Sequence, residues 1–328
     1  MKILVLRFSS IGDIVLTSPV LRCLKEQVPG AQVHFATKAE FAPLVAHSPR
    51  VDRVHLLKED LRALIAELKK EGFDHVVDLH HNLRTANIKR ALGVKATSFP
   101  KLNIEKWLLV NFKMDRLPKL HIVDRYLGTV AHLGVKNDNN GLELFIPPNE
   151  EVDLASLPSV HSSGYVALCI GAAHYTKRLP DHRLIELAGK IAGPIVIIGG
   201  PEDSASAQRI ADAIGGRMFD ATGRYSILGS ASLIRQARAV IAHDSGSMHI
   251  ASAFGKPTIS VWGNTVPAFG MGPYFPEHPE RAHILEVPDL SCRPCSKIGF
   301  GHCPKGHFRC MERQDLARIA TLANAPAA

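Results

Sequence analysis

The stretch AVIAHDSGSMHIASAFGKPTISVWG, Ala239 to Gly263, decides the fold. Val240, Ile241 and Ala242 form a short apolar run of the kind buried inside a parallel sheet. His243-Asp244-Ser245-Gly246 breaks the run with polar groups. Met248, Ala251, Ser252 and Ala253 then recur at helical spacing, and Gly255-Lys256-Pro257 stops that helix before a second strand, Thr258 to Trp262. The unit is strand, loop, helix, strand. Its loop opens at the carboxyl end of a strand, where open α/β sheets bind ligands. Ser245, Gly246 and Ser247 can turn backbone N–H groups and hydroxyls toward an anion there, and the helix dipole adds to the attraction. Asp244 would repel a phosphate, so it is read as holding a hydroxyl or the loop itself, with His249 completing the polar set. Plain capping of the helix by Asp244 and Ser245 is the alternative.

Outward from this unit, strands and helices alternate along most of the chain, which implies parallel, right-handed, doubly wound sheets. Lys2–Phe8, Val33–Ala36, Val51–Leu57 and Asp74–Asn82 read as strands. Helices are expected over Ile14–Val28 and Asp60–Glu71, with a shorter one over Phe41–Ala46. Thr97–Leu120 is less regular, with Lys101, Lys106, Lys113, Arg116 and Lys119 interleaved with Trp107, Leu108 and Phe112. Periodicity is lost between Phe145 and Tyr165, where Pro147, Pro148, Pro158 and Gly164 mark a linker. A second strand–helix series starts at Tyr165.

The 328 residues suffice for two cores at roughly 150 residues each. A formal net charge of +8 calls for an anionic partner: nucleic acid, a phospholipid surface or a phosphorylated substrate. No apolar run approaches the ~20 residues of a membrane span. Met1 to Arg7 has the look of a signal start, but Arg7, Asp13 and the missing cleavage site make it a first buried strand and point to a cytoplasmic protein. Six cysteines in that setting are thiols or metal ligands rather than disulfides.

Three further turns carry chemistry. Ser9-Ser10-Ile11-Gly12-Asp13 follows the first strand; Gly12 lets the backbone approach a ligand, and Asp13 is either a general base for a hydroxyl or a helix cap. The turn has neither the G-x-G-x-x-G of a dinucleotide site nor the G-K-[ST] ending of a P-loop. Lys177 and Arg178, after the first strand of the second series, either neutralise a departing diphosphate or form a solvated basic turn. Glu202, in Gly199-Gly-Pro-Glu, either meets a ribose or base or sits in a helix's first turn. Cys292, Cys295, Cys303 and Cys310, with His302 and His307 nearby, have ligand types suited to zinc, although the spacing departs from paired C-x2-C knuckles. Reduced thiols and a redox-dependent staple stay open beside that reading.

These pieces, in this order, resemble glycosyltransferase family 9, which includes the ADP-heptose–lipopolysaccharide heptosyltransferases. Arg7-Phe-Ser-Ser-Ile-Gly-Asp13, Lys177-Arg-Leu-Pro180, Gly199-Gly-Pro-Glu202 and His243-Asp-Ser-Gly-Ser-Met-His249 look like that family's signatures. The tail from Cys292-Arg-Pro-Cys295 to Cys310-Met is most similar to its second-heptosyltransferase branch. Ala172 and Ala173 depart from the hydroxyl pair, and Leu179 from the aromatic, found in some members. The resemblance implies a GT-B fold, an α/β architecture of two Rossmann-like doubly wound domains facing a cleft. Residues 1–155 would bind the acceptor and 156–310 the nucleotide sugar, with a helix in 311–328 packing back on the first domain. It implies inverting transfer of a heptosyl unit from ADP-heptose to a phosphorylated lipid A-core acceptor, without a metal or other cofactor and without nucleic acid. Asp13 would be the base and Lys177 would stabilise the diphosphate. Ser10, Gly12, Lys177, Arg178, Glu202, Asp244, Ser245, Gly246, Ser247 and His249 would line the donor site, and Arg7, His81, Asn82 and Arg84 the acceptor site. Arg84, Lys89, Arg90 and the basic 101–119 stretch would meet the lipid-linked acceptor in peripheral contact with the inner membrane, unless they are ordinary solvated surface. The rivals are a GT-B transferase using another nucleotide sugar, a sugar-nucleotide epimerase, and a basic nucleotide- or nucleic-acid-binding module, for which no RNA-binding signature is present.

Overall fold

The computed structural model describes residues 1–326. The chain divides into two compact units, the first made of residues 1–101 and 120–145, the second of 102–119 and the chain from 146 onward. The crossing between them falls at 145/146 rather than 155/156, and the 102–119 excursion groups with the second unit.

In chain order the first unit contributes β1 (Lys2–Leu6), α1 (Ile11–Val15), α2 (Ser18–Gln27), β2 (Gln32–Lys38), α3 (Pro43–Ala46), β3 (Arg53–Leu57), α4 (Leu61–Lys69), β4 (His75–Asp78), α5 (Leu83–Leu92) and β5 (Lys95–Ser98). After α6 (Asn103–Phe112), in the second unit, the chain returns for α7 (Ile122–Leu127). The strands are all parallel in the order β3-β2-β1-β4-β5. Ile3, Leu4, Val5 and Leu6 are fully buried, as a central strand covered on both faces requires.

The second unit continues with β6 (Val166–Cys169), α8 (Asp181–Lys190), β7 (Ile195–Ile198), α9 (Ser204–Ile214), β8 (Met218–Asp220), α10 (Ile227–Gln236), β9 (Ala239–His243), α11 (Gly246–Ala253), β10 (Thr258–Trp262), β11 (Ala282–Glu286), α12 (Arg309–Glu312) and α13 (Leu316–Asn324). Its parallel sheet runs β11-β10-β9-β6-β7-β8. In both sheets the strand order reverses beside the first strand, between β1 and β4 and between β6 and β9. A crevice forms outside the carboxyl ends of the strands at such a switch point. That rule singles out four loops: those after β1, β4, β6 and β9.

Several expected elements are corrected. The helix expected over Ile14–Val28 is two helices, broken at Leu16-Thr17, and Pro19 falls in the first turn of α2, where a missing N–H goes unnoticed. The irregular Thr97–Leu120 stretch contains the ten-residue α6. Strands β5, β8 and β11 lacked a sequence signal, since the edge strand Lys-Ala-Thr-Ser (β5) is half exposed and β8 has three residues. The last helix, expected to pack back on the first domain, buries Leu316, Ile319, Ala320 and Ala323 in the second unit's core with Leu184, Leu187 and Ala188 of α8. That i, i+3, i+4, i+7 stripe is used up there. Residues 327 and 328 of the expected segment lie outside the described residues.

Candidate active site

In the first unit the switch point brings together the loops after β1 and β4. Arg7 leaves β1 almost fully buried. Its guanidinium donates to Ser9 O at 2.7 Å, to Leu79 O at 2.5 Å and to the Tyr126 hydroxyl at 3.0 Å, and pairs with Asp13 Oδ2 at 2.7 Å. Asp13 sits at the third position of α1. There Oδ2 also accepts from the Ser10 hydroxyl at 2.8 Å and the Ser10 N–H at 3.3 Å. The capping role considered from sequence is therefore present, and the Arg7 pair is added to it. A carboxylate so braced from two sides holds one position, which a general base requires. Gly12 is buried within α1.

The loop after β4 is shaped by Asp78, which is fully buried. Its Oδ1 accepts the N–H groups of His80 at 3.1 Å and His81 at 2.6 Å, and Oδ2 pairs with Lys89 at 2.8 Å. Burial opposes the Asp78 charge, but Lys89 and these donors outweigh it and hold its pKa below the ordinary carboxylate range. His81 is tied to Phe99 O at 2.9 Å and Asn82 caps α5 through the Thr85 N–H at 3.0 Å, so both carry structural duties. Arg7, expected at the acceptor, likewise spends its guanidinium inside the unit. Arg84 lies over the Phe8 ring at 5.4 Å. Sequence reading passed over His80, whose pKa is pushed down to about 4 by burial and then by the charges of Arg7 and Lys101. A neutral imidazole thus stands in the same electrostatic neighbourhood as Asp13.

In the second unit the loops after β6 and β9 meet. Lys177 Nζ pairs with Asp244 Oδ2 at 2.7 Å, and that oxygen also accepts from the Thr265 hydroxyl at 2.7 Å. Asp244 thus holds the loop, one of the two roles read for it. Ser245 occupies the N-cap position of α11, yet its hydroxyl makes no capping bond and is buried without a hydrogen-bond partner. Simple capping leaves that atom unexplained, whereas an anion at the first turn of α11 would satisfy it. Gly246 and Ser247 open that turn, and His249 is buried within α11. Arg178 is bound to Ala172 O and to Asp203 Oδ1, the latter at 2.7 Å, so it braces the loop. Asp203, missed from sequence, also accepts the Gly200 N–H at 3.0 Å. A Cβ at Gly171 or Gly199 would lie 2.6 or 2.8 Å from its Oδ2, which is why these turns need glycine. Glu202 is exposed in the short turn of helix before α9.

His243 ends β9 with 2 % of its surface exposed and accepts the Leu179 N–H through Nε2 at 3.0 Å. Burial first, and then the charge of Arg178, push its pKa down to about 4. The unfolded chain takes up this proton near pH 6.5 and the folded one does not, so the contribution of His243 to stability is constant above pH 6.5 and falls between pH 6.5 and 4. We expect His243→Gln to remove about 2 kcal/mol of the stability difference between pH 7 and pH 5, measured by urea unfolding at both values. An unchanged difference would refute the assignment.

Among the described residues, one group of three potential metal ligands has its ligand atoms within 4.8 Å of one another, and it is His34, His55 and Glu71 rather than the cysteines. There His34 Nδ1 and His55 Nε2 are 2.9 Å apart, His55 Nδ1 meets Glu67 at 2.5 Å, and Glu71 is already paired with Lys2 and Arg53. Those two cations make it a hydrogen-bonded chain rather than a cation site. Cys292, Cys295, Cys303 and Cys310 are free thiols. Burial pushes Cys295 up to about 11 and Cys310 to about 12.

No helix among the described residues is long and apolar enough to cross a membrane. The chain is similar to lipopolysaccharide heptosyltransferase 1 of Pseudomonas aeruginosa, 26% identical over 98% of this chain and 96% of the relative. It is also similar to lipopolysaccharide heptosyltransferase 2 of Salmonella typhimurium, 24% identical over 82% of this chain and 84% of the relative. Among solved structures, a family 9 glycosyl transferase from Veillonella parvula superposes with a TM-score of 0.76 at 22% identity, covering 98% and 96% of the two chains. The ADP-heptose lipopolysaccharide heptosyltransferase II of Escherichia coli superposes with a TM-score of 0.72 at 20% identity, covering 98% of each. These structures share the two-Rossmann, GT-B architecture. The model of the family described as glycosyltransferase family 9 (heptosyltransferase) matches residues 61–299. With well over half of its length matched, the chain belongs to glycosyltransferase family 9 and is a glycosyltransferase.

Proposed function

We propose that the chain moves a heptosyl unit from ADP-heptose to the lipopolysaccharide inner core, inverting the anomeric centre. One observation carries the reading: an ammonium, Lys177, fixed by Asp244 beside a helix start whose Ser245 hydroxyl is buried and unsatisfied. A diphosphate is the ligand such a turn suits. Asp13 takes the proton from the acceptor hydroxyl as its oxygen attacks the anomeric carbon. The bond from that carbon to the diphosphate oxygen breaks, and ADP departs with its growing charge met by Lys177 and the first N–H groups of α11. Glu202 is assigned to the nucleoside, and Ser247 and His249 to the donor. Ser10 and Gly12, in the first unit, act on the donor through the position of Asp13. Arg84, with the His81-Asn82 turn, is assigned to the acceptor, and Arg7 positions Asp13. A phosphorylated lipid acceptor places the reaction at the inner face of the inner membrane.

Thermal unfolding with ADP-, UDP-, GDP- and dTDP-sugars tests the donor, because a ligand of the folded state raises its stability. We expect ADP-heptose at about 100 times its Kd to add about 2.7 kcal/mol of stability. An equal or larger shift with another nucleotide sugar would reassign the donor, and conversion of the donor with no acceptor present would make the enzyme an epimerase.

A further inference from the structure

We propose that α6 and the cysteine-bearing loop beside it form a basic, aromatic face that docks on anionic phospholipid. The inference rests on the proposed lipid-linked acceptor and names the element that brings the enzyme to it. Helix α6 keeps Leu109 buried but leaves Ile104 73%, Trp107 54% and Phe112 59% exposed, and Met114 just beyond it 44%. Large apolar side chains gathered on a ten-residue helix are an unusual surface for water. Trp107 and Phe112 meet edge to face, 5.1 Å between ring centroids, which presents one aromatic knob rather than two separate rings. The loop packs against this helix, with Lys113 Nζ donating to Pro294 O at 2.8 Å and Lys297 Nζ to Asn103 Oδ1 at 3.4 Å. It exposes Ile298 and Phe300 in turn.

Charge selects the partner. Residues 102–119 carry four Lys or Arg against two Asp or Glu, and residues 291–311 carry four against none. These two contacting segments therefore hold six of the chain's eight net positive charges. Arg116, Lys119, Lys297 and Lys305 among them are exposed. A hollow of about 460 Å³ between helix and loop is bordered by Lys113 and Lys305. Apolar side chains that enter the acyl boundary, carried on the same two segments as cations that meet headgroup phosphates, match an interface rich in anionic lipid. The aromatic pair supplies the insertion and the cations supply the preference for charge.

The test uses the full chain with phosphatidylcholine vesicles, with and without phosphatidylglycerol, and with neither donor nor acceptor present. Its outcome is thus separate from that of the transferase reading. The protein should co-sediment with the anionic vesicles and be released by salt. The chain has two tryptophans, and Trp262 is fully buried, so a blue shift and quenching by brominated acyl chains would report Trp107. Arg116→Ala with Lys119→Ala should lower partitioning roughly 25-fold, about fivefold per charge. Trp107→Ala with Phe112→Ala, read by co-sedimentation because the reporter is lost, should weaken binding to the anionic vesicles while leaving the melting temperature unchanged. The proposal is overturned if neither vesicle binds, if both variants bind like the wild type, or if the wild type is a dimer that Trp107→Ala dissociates.

Discussion

Asp13→Asn should lower turnover by about a thousandfold while leaving the affinity for ADP-heptose within a factor of two. General-base catalysis contributes roughly 10²–10⁴ in rate, and an amide cannot take the acceptor's proton. Asparagine is the informative replacement because its side-chain oxygen still accepts from Ser10 and Arg7, which in the native chain hold Oδ2 at 2.8 and 2.7 Å. Arg7 also keeps its bonds to Ser9 O, Leu79 O and the Tyr126 hydroxyl, so the guanidinium is not stranded. Asp13→Ala would withdraw one partner of a nearly buried ion pair, and a loss there would mix chemistry with stability. Turnover and urea stability should therefore be measured together. More than a tenth of wild-type turnover in a fully folded Asp13→Asn enzyme would end the base assignment.

Lys177→Ala should weaken donor binding at least tenfold and turnover by roughly a hundredfold, since the leaving diphosphate gains charge toward the transition state. The Asp244 pair adds a signature that a surface lysine could not produce. Without the ammonium, Asp244 stands beside the first turn of α11 as an uncompensated, largely buried carboxylate and repels the incoming phosphates. The double variant Lys177→Ala/Asp244→Asn should then bind the donor more tightly than Lys177→Ala alone, with a coupling of about 0.5–3 kcal/mol in the double-mutant cycle. Asparagine can still accept the Thr265 hydroxyl bond, so the loop itself stays anchored. Unchanged kinetics in Lys177→Ala, or strict additivity in the cycle, would remove Lys177 from the diphosphate.

Much of this is legible in the amino-acid sequence. The buried runs Ile3-Leu-Val-Leu6 and Val240-Ile-Ala242 read as strands because only a doubly covered parallel sheet hides every side chain of such a run. Polar breaks after them marked the loops that matter, because a ligand site in this architecture lies at strand carboxyl ends. Helix α6 has no such sequence signal because its apolar residues do not lie along one buried stripe; Leu109 is buried, and Ile104, Trp107 and Phe112 are exposed. Helix α13 was recognised as apolar on one face, but periodicity cannot say which core receives that face.

The sequence by itself determined the alternation of strand and helix, the family signatures and the short list of chemical groups, since each depends on neighbours in the chain. Which groups touch was decided only by tertiary structure. Lys177 and Asp244 are 67 positions apart, and Arg7 reaches Tyr126 across 119. Each unit's own packing of distant segments brings such residues together, and no local pattern encodes that packing.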